Sequence, residues 1–286
     1  VGDRLGLDAD MSAIGVAEVV DENMANAARA HAVESGKDLG GYTMIAFGGG
    51  APLHAARLMD KLGLNEMLVP PGAGVGSAIG FLVAPFSFEA VKSFYTSTVD
   101  FDVDGSNTVL ADLADEAISF VRQGTDSDVV VERQVSMRYA GQGWEIPVSI
   151  GENSTFDDSA ADLLSSRFTK AYEEFFGRAI DDLPIETVSW SVRVSSLIPQ
   201  RASVELSAIP GDAPTCDSYR EAYDAASGQK VTTKLFNRDT LGPGQAIDGP
   251  AIIAEQQTTT VIASHHRCTV QPDGTLLITR RPEVSL

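Results

Sequence analysis

Twice near the start of the chain an apolar run stops in a cluster of glycines and resumes with helical spacing. Tyr42-Thr43-Met44-Ile45-Ala46-Phe47 leads into Gly48-Gly49-Gly50; after Pro52, Leu53, Ala56, Leu58, Met59 and Leu62 recur at helical steps as far as Gly63. Leu68-Val69-Pro70 then leads into the loop Pro71-Gly72-Ala73-Gly74-Val75-Gly76-Ser77 and on to Ala78-Ile79-Gly80-Phe81-Leu82. Strand, glycine turn and helix, repeated, is the grammar of an α/β layer. A helix is expected ahead of both, over residues 11–35, with Ile14, Val19, Val20, Met24, Ala27, Ala28 and Ala32 on its apolar face and Gly36 as its stop.

Past Pro85 the pattern changes. Residues 94–101 alternate as a strand, 107–124 form an amphipathic helix, and 129–139 with 144–150 read as a strand pair around Ala140-Gly141-Gln142-Gly143. A helix over 159–176 carries Leu163, Leu164, Phe168, Tyr172 and Phe175 on one side. From Glu186 onward strands alternate with turns such as Gly242-Pro243-Gly244, Asp248-Gly249-Pro250 and Pro272-Asp273-Gly274. Two domains are expected: residues 1–85, and a mixed, strand-rich α+β domain over 86–286.

Composition narrows the partners. With 21 Lys and Arg against 40 Asp and Glu, the formal charge of −19 repels a phosphate backbone, so no nucleic-acid partner is expected. Apolar runs are broken well before spanning length, so no membrane partner is expected either. Cys216 and Cys268 match no metal or redox spacing, which suits a reducing cytoplasm. The chain opens at Val1 without an initiator Met or a leader pattern and is expected to be an internal piece of something longer.

The segment from Ala46 to His54 is the most informative for chemistry. Consecutive glycines after a buried strand let a ligand approach the backbone without Cβ atoms, and the amides opening the next helix point toward it. Gly48, Gly49, Gly50 and Ala51, with His54 about one turn in, are the candidate nucleotide-binding residues; equally, the glycines can serve only tight helix-on-strand packing. The second glycine loop lacks a partner motif and reads as structural. Neither segment is a Walker A loop or a full dinucleotide fingerprint. His265 and His266 are adjacent, so in an extended chain they face opposite ways, and no metal site is legible. Around Arg138-Tyr139-Ala140-Gly141-Gln142, Tyr139 and Gln142 are candidates for facing a substrate or an interface, with core packing as the equal alternative. Glu255-Gln256-Gln257-Thr258-Thr259-Thr260 reads as a polar edge strand.

Four of these segments occur in the same order in a known family. Gly48-Gly49-Gly50-Ala51-Pro52-Leu53-His54, the stretch from Val69 to Gly80, Arg138-Tyr139-Ala140-Gly141-Gln142 and Asp248-Gly249-Pro250-Ala251-Ile252-Ile253 together resemble the hydantoinase A/oxoprolinase family across nearly the whole chain. The resemblance implies the C-terminal part of an actin-like (sugar-kinase/Hsp70-like) ATPase domain, followed by the strand-rich domain. In such folds an Asp-Gly-Gly-Thr type hairpin near the N-terminus holds the metal and phosphates, and no such hairpin precedes the first helix here. The chain thus resembles the C-terminal two-fifths or so of the family's large subunit. The implied cofactors are ATP and a divalent metal, Mg or Mn, held mainly outside this chain. The implied partners are the N-terminal half of the same large subunit or a separate chain carrying it, a hydantoinase B-type subunit, and a small-molecule carbonyl substrate. The implied activity is ATP-dependent hydrolysis of a cyclic amide (hydantoin, 5-oxoproline or another lactam) through a phosphorylated intermediate, within a larger assembly. ATP-dependent ketone carboxylation and a non-catalytic assembly role are the alternatives.

Overall fold

The computed structural model describes residues 2–151, 155–181, 183–197, 211–225 and 227–281. Helix α1 (Ala9–Glu34) starts where the Asp8 carboxylate accepts the Met11 amide at 2.7 Å and stops before Gly36, whose φ of +63° suits glycine. Its expected apolar face is largely exposed, and Asp21, Ala25 and Ala32 are its buried residues. Glu18, Asp21 and Glu22 of α1 instead meet a basic helix, which accounts for the shifted contact face. Strand β1 (Met44–Ile45) pairs in parallel with β2 (Glu66–Val69). Between them runs α2 (Ala51–Leu62), closed by Gly63 at φ +70°. The second glycine loop opens into α3 (Gly76–Val83).

Next come β3 (Ser87–Ser97), α4 (Val103–Val121), β4 (Val129–Tyr139), β5 (Ile146–Ser149), α5 (Ala160–Phe176) and β6 (Ile185–Ser196). The four strands form an antiparallel sheet in the order β3-β6-β4-β5. The expected strand over 94–101 lies earlier, because a register shift between Ser93 and Thr96 breaks the alternation and the chain turns into α4 at Asp102. Trp190, Phe168, Leu110, Leu164 and Met137 fill this core, each contributing about 1.5–3 kcal/mol by leaving water. The indole of Trp190 keeps a donor bond to the Phe94 carbonyl at 3.0 Å.

The chain continues through β7 (Ser218–Asp224), β8 (Gln229–Asn237), β9 (Ala246–Asp248), β10 (Ala251–Ala254), β11 (Thr259–Ile262), β12 (His266–Val270) and β13 (Leu276–Arg280). Strand β13 pairs antiparallel with β2, placing Leu277 opposite Leu68, and completes a five-stranded sheet β1-β2-β13-β12-β9. A second sheet runs β11-β10-β8-β7. Met59, Met67, Ile253, Ile262, Leu276 and Ile278 share the core between them with Cys268, whose thiol burial pushes up to about 12.

The architecture is therefore mixed α/β with several sheets. One compact unit combines the described residues of 1–82 with those of 201–286, and the other comprises those of 83–200. The expected boundary near residue 86 falls beside the first crossing, but residues after 200 do not stay with the second domain. Strand β13 among them hydrogen-bonds to β2, so the first unit is discontinuous in sequence. Among the described residues no helix is long and apolar enough to cross a membrane.

Candidate functional site

Three loops of the first unit meet at the glycine turn. Gly48 takes φ +112°, a conformation that disfavours a side chain, and its amide donates to the Ala73 carbonyl of the second glycine loop at 2.6 Å. The Gly49 carbonyl accepts the Thr258 hydroxyl at 2.9 Å from the loop joining β10 and β11. A Cβ on Gly74 would sit 2.6 Å from Cβ of Gln257 and 2.8 Å from its carbonyl, so this third approach depends on a missing side chain. Gly50 caps α2 without any side-chain bond, and Pro52 follows at the first turn, leaving the positive end of the helix uncapped by protein side chains.

A cavity of about 670 Å³ opens beside this meeting point, lined by Gly49, Leu53, Tyr223, Gln256, Gln257 and Thr258 among others. Arg220 supplies a cation on its wall, and Ile252 and Val261 an apolar side. Its two carboxylates are already engaged. Asp224 is desolvated, which alone would raise its pKa, but donors from Ser264 and Ser227 hold it below the usual range. Glu255 pairs with Arg238 at 2.8 Å, in a contact where both side chains are nearly buried. Apolar wall, amide-bearing loop and Cβ-free turn fit the base and backbone-facing part of a nucleotide. A carboxylate pair free to hold its divalent metal does not occur on this wall among the described residues.

The sequence candidates separate accordingly. Gly48, Gly49, Gly50 and Ala51 form the turn, with Gly49 on the cavity wall. His54 turns away to α1, where its Nδ1 lies 2.7 Å from the buried Asp21 carboxylate. Beside it, Arg57 grips Glu18 through two nitrogens at 2.8 and 2.9 Å. In the second unit Tyr139 is 2% exposed, packs edge-on against Phe168 and Tyr172, and its phenol oxygen accepts the Ile180 amide at 2.9 Å. Gln142 donates to the Tyr172 hydroxyl at 3.0 Å, at a recess shared with the exposed Trp144. The Gln256 to Thr258 loop was not legible as part of a site: its polar run marks a turn, but its partners lie some two hundred residues earlier.

The expectation for His265 and His266 is corrected. His265 lies in a turn closed by the His266 amide on the Ala263 carbonyl at 2.9 Å, so the chain is not extended there. Both rings swing to one side, with centroids 4.0 Å apart, and both reach Asp60.

A discontinuous mixed α/β unit built around a glycine turn and carrying an inserted antiparallel sheet with two helices defines the class. The hydantoinase/oxoprolinase model matches residues 1–90 and the hydantoinase/oxoprolinase C-terminal domain model matches residues 104–278, and the chain belongs to this family. A protein of Methanocaldococcus jannaschii is 27% identical over 98% of this chain and 39% of its own length. Caprolactamase subunit alpha of Pseudomonas jessenii is 23% identical over 98% of this chain and 41% of its own. 5-Oxoprolinase 1 of Arabidopsis thaliana is 26% identical over 96% of this chain and 21% of its own. The nucleotide-free structure of acetone carboxylase superposes with a TM-score of 0.73 at 21% identity, over 98% of this chain and 41% of that one. The chain thus spans about two-fifths or less of these relatives.

Proposed function

We propose that this chain is the C-terminal part of the large subunit of an ATP-dependent enzyme that activates a carbonyl compound, with a cyclic amide as substrate. The carrying observation is the uncapped α2 N-terminus behind Gly48–Gly50, beside a cavity with an apolar wall and an amide-bearing loop. The names of two relatives, a caprolactamase subunit and a 5-oxoprolinase, support the lactam class.

In this reading the turn belongs to an actin-like ATPase domain. The Gly49 backbone and the Ala51 amide approach the nucleotide, and Gln256, Gln257 and Thr258 hold the facing wall. ATP would supply a phosphoryl group to the amide oxygen, leaving ADP. Water would then add to the activated amide carbon, the ring C–N bond would break with the nitrogen taking a proton, and a second water would release phosphate from the resulting acyl phosphate. The phosphate hairpin, the divalent metal (Mg or Mn) and the catalytic base come from the N-terminal half, on the same or another chain. A hydantoinase B-type subunit completes the assembly. His54, expected to face the nucleotide, instead faces Asp21 of α1 and is given no part in this reading of the turn. A cytoplasmic location is part of this reading.

Gly49→Val in the assembled enzyme tests the site, because it adds a branched side chain to a residue of the cavity wall, with its Cβ 3.6 Å from the Gln257 carbonyl oxygen. Fluorescent ATP-analogue titration is expected to show affinity weakened about tenfold or more, which is ~1.4 kcal/mol. Unchanged affinity in a folded variant would sink the assignment. Turnover on lactams and hydantoins without bicarbonate supports the amide reading; turnover that needs ketone and bicarbonate together replaces it with ketone carboxylation, and no stimulated turnover points to an assembly role.

A further inference from the structure

At the opposite end of α2 from the glycine turn, Asp60 stands in the last helical turn, where the carbonyl-bearing negative end of the helix disfavours a carboxylate. A carboxylate kept there calls for hydrogen-bond donors or a bound cation. Two imidazoles answer it: His265 Nε2 lies 2.8 Å and His266 Nε2 3.1 Å from the same Asp60 oxygen. One potential ligand atom from each residue lies within 4.8 Å of the other two. His266 is wholly buried, the Asp60 side chain is 16% exposed and that of His265 is 38% exposed. Both Nδ1 atoms are buried without a protein partner, so no hydrogen bond on the far side of either ring fixes the proton on Nε2.

We propose that Asp60, His265 and His266 form a binding site for a first-row divalent transition metal of the Zn2+ class. Two imidazoles and one carboxylate are the donor set such ions select, whereas Mg2+ and Ca2+ select oxygen alone. Ligands on a tetrahedral zinc, with bonds of about 2.0–2.1 Å, stand roughly 3.3 Å apart. The two carboxylate–imidazole separations of 2.8 and 3.1 Å reach that spacing with a shift of a few tenths of an ångström, and the imidazole ligand atoms lie within 4.8 Å of each other, to be drawn in by the ion. Binding displaces the two Nε2 protons, which move to Nδ1 as the ring lone pairs turn to the ion.

Asp60 and His265 border a cavity of about 540 Å³ whose wall also includes Ser227, Ser264, Arg57 and Arg280. The two arginines are held elsewhere: Arg57 by Glu18, and Arg280 by the Leu64 carbonyl at 3.1 Å and the Asp60 carbonyl at 3.5 Å. Arg280 Nη2 comes no nearer than 3.7 Å to the carboxylate oxygen that the imidazoles share. Three protein ligands leave a fourth position toward the cavity for water or an anionic ligand. The site is separate from the proposed nucleotide turn and stands or falls independently of it.

The test uses the complete enzyme without a histidine tag, stripped with chelator, re-equilibrated with Zn2+ and desalted. Metal analysis is expected to find one equivalent more in the wild type than in His265→Gln, a rim substitution that keeps a polar amide. Zn2+ is expected to raise the Tm of the wild type and not of the variant, and Mg2+ to distinguish neither. Asp60→Asn, which preserves shape, serves as the second variant if His265→Gln does not fold. Equal zinc in wild type and folded variant, or an equal Tm response to Mg2+, overturns the proposal and leaves the trio a hydrogen-bonded clasp between α2 and the turn before β12.

Discussion

At Gly74 the backbone torsion is ordinary and the constraint is space alone. A methyl group there meets the Cβ and carbonyl of Gln257 at 2.6–2.8 Å, so the loop that faces the glycine turn must retreat. Gly74→Ala is therefore expected to destabilise by about 1–3 kcal/mol in urea titration and to weaken nucleotide-analogue binding. Gly80 is the counter-case, because it lies within exposed α3 with nothing within 4 Å of an added Cβ. Gly80→Ala is expected to stabilise by about 0.5–1 kcal/mol through loss of unfolded-state freedom. Matching effects at the two positions would contradict the steric reading. The turn at Gly48–Gly50 was legible from sequence because a glycine run between an apolar segment and a helical repeat marks a turn locally. The His265–His266 pair was not, since the turn that converges the rings shows only in the backbone bond from His266 to Ala263.

Elements were legible where their ends are signalled, as by Gly36 after α1 or Gly63 after α2. Which face of an element is buried depended on its partner, and α1 shows why. It meets α2 through ion pairs: Glu18 with Arg57 and Lys61, and Glu22 with Lys61, while Arg29 of α1 itself braces Glu22 within the helix. The Arg57 guanidinium, aided by Lys61, holds the Glu18 carboxyl down at about 2 from an ordinary 4.5. A depressed carboxylate pKa stabilises the fold fully above 4.5, and the contribution disappears as pH falls through about 2. With both side chains about one-third exposed, solvent screening limits it to about 1 kcal/mol. Denaturant titrations of the wild type and Glu18→Gln across that range are expected to show a stability gap that closes with acid. A gap independent of pH would remove the ion pair as its cause.

For the whole molecule, the long-range closure was the illegible part. Pairing of β13 with β2 joins residues some two hundred positions apart, and neither strand's own pattern names the other. The same unit leaves large apolar side chains in solvent: Tyr42, Ile45 and Phe47 on and beside edge strand β1, and Phe81 and Leu82 on α3, at 85% and 86% exposure. An exposed edge and such apolar groups favour self-association, while a formal charge of −19 opposes it. The two differ in range, since the Debye length falls from about 30 Å at 0.01 M salt to about 3 Å at 1 M and apolar burial is not screened. The 286-residue chain by itself is therefore expected to stay dispersed at low salt and to associate as salt rises, read by light scattering or sedimentation. Phe81→Ser combined with Leu82→Ser is expected to move that onset to higher salt. A chain that remains monomeric at every salt concentration would show that these side chains do not drive association.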